Sequence, residues 1–364
     1  MTLHLYFARR FLMVFLGLFT VFVLFLGLLD LVEQLRRFDG EVAFGRVALL
    51  TALNAPASLY EMLPLVMILS SIAVFLGLSR SSELVVARAA GRSGLVALVG
   101  PSIVALLVGM AAVAVGNPIV AATSQRYEAM SEQVSNGDTG VLSIGSEGLW
   151  LRQGDSSGQT VIQAARANAD ATTLFDVTFV TYDRDVGPVR RIAAEAAELG
   201  DGAWELRDAK SWPLTPGINA EARAERFETL DVATTLTREN IRDRFGRPSA
   251  VAIWALPDYI ADLNRAGFSA RRHVVWFWME MARPLFLVSL VLLGAGFTMR
   301  HSRLGRTGLS VLSAVLVGFG LYYIRNFAQI LGETGQIPAL PAAWVPPVAS
   351  LLLALGLILQ REDG

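Results

Sequence analysis

Apolar residues fall in long unbroken runs towards the two ends of this chain and in short alternations in its middle. The first run, Phe11 to Leu29, follows Arg9 and Arg10 and carries no charge. As a helix it is about 28 Å long, enough to cross the hydrocarbon core of a bilayer. It exceeds the apolar part of a signal peptide and lacks a small-residue cleavage site, so it reads as a retained span. Asp30, Glu33, Arg36 and Arg37 follow at its far end, and residues 38–56, with Pro56, read as an interfacial elbow. A second run, Met62–Ser79, ends at Arg80; a third goes from Gly94 to about Pro118. The later spans are His273–Met299, Thr307–Ile324 and about Ala343–Leu359, with Pro338, Pro341, Trp344, Pro346 and Pro347 between the last two.

From Tyr127 to Arg272 charges, Gly and Asp become frequent and the period changes to two. Phe175, Val177 and Phe179 alternate with Asp176, Thr178 and Val180; Trp204 and Leu206 alternate with Glu205 and Arg207. Segments near 141–153, 159–167, 174–183, 189–199, 203–214 and 225–235 are separated by Gly/Asp/Ser/Pro clusters. This pattern predicts an antiparallel sandwich or an open barrel-like roll. Residues 248–268 predict a helix that returns the chain to the membrane. The expected fold is therefore an α-helical membrane protein of six transmembrane helices with an all-β domain inserted between helices 3 and 4. The division falls at 1–126, 127–247 and 248–364.

Six spans place both termini on one side. Arg9, Arg10, Arg80, Arg88, Arg92, Arg300, Arg303, Arg306 and Arg361 lie on that side, against Arg36, Arg37, Arg46 and Arg325 on the other. The positive-inside rule puts the termini in the cytoplasm and the β-domain in the periplasm. Composition agrees with a membrane protein: 53% of the 364 residues are hydrophobic. A net charge of −1 gives no basic footprint for nucleic acid. With no cysteine there is no disulfide and no thiolate site.

Several chemistries are excluded. A phosphate-cradling loop needs Gly-x-x-x-x-Gly-Lys-Ser/Thr, and Lys210, the sole lysine, follows Ala209. Any ATP hydrolysis therefore belongs to another polypeptide, which would bind the ATP and Mg; no cofactor is expected in this chain. His4, His273 and His301 are isolated, so no metal site is expected. Gly154-Asp155-Ser156-Ser157-Gly158 matches a hydrolase nucleophile pattern, but it falls between predicted strands in a region without histidine and reads as a hairpin turn. No catalytic residue is expected.

The polar stretch between the second and third runs, Ser79–Gly94, carries the most specific signal. Ser82 can cap a short helix, Glu83 sits in its favourable first turn, and Gly91 can end it. Leu84, Val85 and Arg88 share one side. Two turns of helix are unstable alone in water, so this one needs a partner surface. Ser82-Glu83-Leu84-Val85-Val86-x-x-Ala89-x-Gly91 resembles the coupling-helix signature of the LptF/LptG permeases, the membrane subunits of the ABC transporter that extracts lipopolysaccharide. The resemblance covers nearly the whole chain, through the three-spans, β-domain, three-spans order. Glu147-Gly148-Leu149-Trp150 resembles a first sheet strand of the LptG type. Tyr259-Ile260-x-x-Leu263-x-x-x-Gly267 followed by Trp278-x-x-x-x-x-Pro284-Leu285 resembles the LptG-type entrance to span four. Asp30 departs, standing where such chains often carry a basic residue.

The resemblance implies an inner-membrane permease with a jellyroll-like periplasmic domain. It would pair with an LptF-like permease, be driven by an LptB-like ATPase dimer, and pass lipopolysaccharide to LptC-like and LptA-like bridge proteins. Glu83, Leu84, Val85, Arg88 and Gly91 would meet the ATPase. For the cargo, Arg36 and Arg37 are candidates for phosphate. Phe15, Phe19, Phe22 and Phe25, in a stripe that begins at Phe7 and Phe11, are candidates for an acyl-chain wall; the same stripe also suits helix packing. Glu280 and Arg283, three residues apart, are placed to pair near the outer interface. The competing reading is a non-catalytic scaffold or sensor whose β-domain binds an envelope partner.

Overall fold

The computed structural model describes residues 2–37, 43–83, 94–135, 142–145, 148–154, 158–168, 172–183, 186–214, 219–234, 236, 247–265, 269–299 and 307–362. They form two units. The first, Met1–Tyr127, Ala252–Trp254 and Arg271–Gly364, holds six helices long and apolar enough to cross a membrane. The second comprises Glu128–Val251 and Ala255–Ala270.

In the helical unit, α1 is Thr2–Arg37 and α2 is Phe44–Arg80. The third crossing begins with α3, Gly94–Ala111, passes through a π-helical turn, Ala112–Gly116, and continues as α4, Asn117–Ser135. After the sheet and the short helix α5, Leu256–Arg265, come α6 (Arg271–Thr298), α7 (Thr307–Glu333) and α8 (Ala339–Glu362). Three expectations are corrected. The elbow over 38–56 is helical from Phe44, and α2 runs straight through Pro56 and Pro64. The proline-rich connection before the last span is itself helix from Ala339. The fifth span runs past Ile324 to Glu333, so Arg325 lies inside a helix and not at a loop. In each case proline or charge was read as a stop. Neighbouring helices compensate a lost backbone bond in a membrane bundle, so such residues persist inside helices.

Helix α6 is the hub, packed against α2, α3, α7 and α8. Small residues allow the close approach. A Cβ on Gly109 would stand 2.6 Å from the Pro284 Cα, and one on Gly294 would stand 2.9 Å from Ser71. Association inside a bilayer depends on such packing and on polar contacts, because lipid is as apolar as the helices. The Ser71 hydroxyl donates to the Val291 carbonyl at 2.6 Å. By contrast, few residues of α1 and α7 are buried, and each helix leaves an apolar face exposed.

The second unit contains a seven-stranded antiparallel meander in the order β1 to β7. Its strands are Leu142–Gly145, Gly148–Gly154, Gly158–Ala167, Thr173–Asp183, Gly187–Leu199, Ala203–Pro213 and Glu225–Ala233. Where the sequence predicted one strand over 141–153 there are two, paired Leu142↔Leu151 to Gly145↔Gly148. Leu149 and Trp150 therefore lie on the second strand, not the first. Gly154 and Gly158, the ends of the hydrolase-like pattern, close β2 and open β3.

One line crosses the sheet where inside and outside exchange. On β4 Leu174, Val177 and Phe179 are buried; on β5 Ala194 and Ala197; on β6 Leu206 and Ala209. The alternation slips by one residue at each of these breaks. The ladder passes from Phe175↔Ala196 to Val177↔Ala194, and Asp176 and Asp208 sit at φ +53° and +50°, a region aspartate tolerates. The sheet folds over along this line. Phe179 aligns through Ile192 with Ser211, seven residues along β6 from Trp204, about 24 Å in a flat strand. Yet the Phe179 and Trp204 rings meet edge to face at 6.4 Å. The unit is thus a roll made from one folded sheet.

Candidate functional site

At the end of the helical unit where α1 begins and α2 stops, one carboxylate gathers three donors. Arg10 Nη1 donates to Glu83 Oε1 at 2.7 Å, the Ser81 hydroxyl to the same oxygen at 2.8 Å, and the Tyr6 hydroxyl to Oε2 at 2.8 Å. Arg10 Nη1 also donates to the Tyr6 oxygen at 2.7 Å. Burial works to raise the Glu83 pKa, but the bonds from Arg10, Tyr6 and Ser81 outweigh it and hold the carboxyl below its ordinary range. Ser82 corrects an expectation. An N-cap residue has extended backbone, whereas Ser82 has φ +59° and serves as the left-handed turn after α2. Leu84, Val85, Arg88 and Gly91 lie outside the described residues.

Toward the opposite end, the expected Glu280–Arg283 pair is present and fully buried. Arg283 Nη2 and Nε donate to Glu280 at 2.5 and 3.0 Å. Tyr60, which the sequence did not single out, donates its hydroxyl to Glu280 and places its ring 4.1 Å under the Arg283 guanidinium. Arg325, also buried, stacks on Phe286 at 5.5 Å. Beside this cluster the π-helical turn receives the returning chain. Pro118 has no N–H to offer the carbonyl of Ala114, four residues before it. That carbonyl accepts the Trp254 indole N–H at 3.2 Å, and the Asn117 side chain accepts the Ile253 N–H at 2.8 Å. Asn-Pro inside an apolar run was the available signal for this junction; Tyr60 had none.

The phenylalanine stripe divides along α1. Phe7, Phe11 and Phe15 are buried against α2 and α3, Phe19 and Phe22 are half-buried, and Phe25 is exposed. Phe15 is therefore a packing residue in this chain, a correction to its place in an acyl-chain wall. Arg36 and Arg37 are exposed, with Arg36 3.9 Å from Glu33. Asp30, where a cation was expected by resemblance, accepts a bond from Asn54 at 3.0 Å. Between α2, α6 and α7 lies an apolar pocket of about 200 Å³, lined by Met62, Leu65, Ile68, Leu290, Phe319 and Tyr322, with Glu61 among its walls.

Six membrane-length helices and a folded sheet between the third and fourth define a multi-pass membrane protein with an inserted β unit, with one polar cluster at a helix end and another buried within the bundle. The family model described as "Lipopolysaccharide export system permease LptF/LptG" matches residues 5–360. The chain belongs to that family. A Haemophilus influenzae protein named "Lipopolysaccharide export system permease protein LptG" is 24% identical over 346 residues, covering 93% of this chain and 92% of the relative. The Escherichia coli K12 protein of the same name is 21% identical over 338 residues, 92% of each.

Proposed function

We propose that this chain is the LptG-type permease of a lipopolysaccharide exporter, a transport subunit rather than a catalytic one. It lies in the inner membrane with cytoplasmic termini and a periplasmic β unit. An LptF-like permease sits beside it, an LptB-like ATPase dimer drives it, and LptC-like and LptA-like proteins receive the lipid. The family match carries this reading. The geometry adds that α1 and α7 leave apolar faces uncovered and that a pocket opens between α2, α6 and α7.

Extraction needs an apolar wall for acyl chains and cations for phosphates at the leaflet surface. Phe19, Phe22 and Phe25 supply part of the wall, and Arg36 and Arg37 the cations. Closure of the wall, driven from the 82–91 segment, would release lipid for transfer through the β unit to the bridge proteins. The test is purification of the full chain with its native partners and mass spectrometry of the bound lipid. Lipopolysaccharide together with a co-purifying ATPase is expected. Phospholipid alone and no ATPase would overturn the reading in favour of the scaffold.

A further inference from the structure

Glu83 stands at the start of the segment that the resemblance assigns to the ATPase, and its carboxylate is directed back into its own chain. Both oxygens are occupied, Oε1 by Arg10 and Ser81 and Oε2 by Tyr6. The Arg10–Tyr6 bond closes the ring, so two hydrogen bonds join α1 to the turn after α2, and one further bond on each side, Arg10 to Tyr6 and Ser81 to Glu83, braces them. The left-handed φ of Ser82 starts that turn directly after α2, and Gly77, one turn earlier, leaves room beside Arg10; a Cβ there would stand 3.8 Å from Nη2. Phe7 and Phe11, within a turn of this ring on α1, are wholly buried and anchor the helix at that level. Apolar packing is non-directional and lets helices slide. A closed ring of charge-assisted bonds fixes one register.

We propose that Arg10, with Tyr6, is a positioning residue for the 82–91 segment, and that the Arg10–Glu83–Tyr6 ring passes displacement of that segment to α1. This rests on the transporter reading above. It assigns Glu83 a task inside the permease, distinct from touching the ATPase. It also links the driven segment to the helix that carries Phe22, Phe25, Arg36 and Arg37. When Glu83 is displaced, α1 is drawn with it, because Glu83 cannot leave α1 without breaking both of the bonds that reach it from Arg10 and Tyr6.

The experiment uses the complete transporter, reconstituted with its partner ATPase, and reads lipopolysaccharide moved per ATP hydrolysed. Arg10→Gln and Glu83→Gln should each lower that ratio by about threefold or more, with an effect in the double variant no larger than in either single one. The exchanged pair Arg10→Glu/Glu83→Arg should recover much of the loss, while the ATPase co-purifies throughout. If Arg10→Gln leaves the ratio unchanged, or if the exchange recovers nothing while Glu83→Gln sheds the ATPase, Glu83 is an ATPase contact and the proposal is wrong. Should Arg10→Gln fail to accumulate, Tyr6→Phe removes one hydroxyl and must show the same non-additivity with Glu83→Gln. Failure of the transporter reading looks different: the parent chain then brings down no ATPase.

Discussion

Arg283 and Glu280 form a buried two-bond ion pair within one turn of α6, 5% and 0% exposed respectively. Breaking such a pair from one side leaves a charge stranded among apolar groups, at a cost of about 3–5 kcal/mol. Arg283→Met and Glu280→Leu should each lower the melting temperature of the detergent-purified protein strongly, and the double variant by less than the sum. Arg325→Met is the informative comparison. Arg325 stacks on Phe286 and forms no ion pair among the described residues, so its loss strands no carboxylate and should cost clearly less. Equal destabilisation by all three arginine and glutamate variants would contradict this division of roles.

The crease of the sheet makes a second prediction. Trp204 is fully buried against Phe179, from the other half of the fold. Trp204→Ala should cost about 3–5 kcal/mol and expose the β unit of the full chain to limited proteolysis, while Trp212→Ala, in a less buried position, should not. Equal protease resistance in the parent and the Trp204 variant would mean the two halves do not hold each other.

Orientation is tested by a reporter inserted at the β5–β6 turn near Gly202, where φ is +80° and a side-chain Cβ would meet nothing within 4 Å. The arginine asymmetry predicts that a reporter active only after export is active there. Activity of a cytoplasm-only reporter at this turn would invert every span.

Arg36 and Arg37 are exposed at the end of α1, and Glu33 lies close enough to neutralise Arg36 in the empty state. A lipid phosphate would have to displace it, which makes loading sensitive to ionic strength. The Arg36→Ala/Arg37→Ala variant should co-purify with roughly tenfold less lipopolysaccharide at low salt, the difference shrinking at high salt. Equal occupancy at both salt concentrations would leave the arginines as interfacial anchors.

Much of the architecture was legible in the order of residues. Long apolar runs marked six spans, five of them without charge and the fourth with only Glu280 and Arg283, because burying a charge in lipid is costly, and that rule holds for any arrangement of the helices. Period-two alternation marked the strands, and the i, i+3 spacing of Glu280 and Arg283 put them on one face of α6. Local rules failed where a residue's partner lies far along the chain. Proline looked like a boundary at Pro56 and Pro346, yet both sit inside helices, as proline can in a membrane bundle. The stripe from Phe7 to Phe25 looked uniform, and only the positions of α2 and α3 divided it into a packed half and an open half.

What the sequence by itself determined is therefore the set of elements and their membrane character, because each follows from residue type and near spacing. Tertiary structure decided the rest. Tyr60 reaches Glu280 across 220 positions, and Arg10 reaches Glu83 across 73. The sheet folds only because breaks on neighbouring strands fall in register. Alternation along one strand is set by the pleat, but which breaks align is set by pairing, and pairing is a property of the assembled sheet.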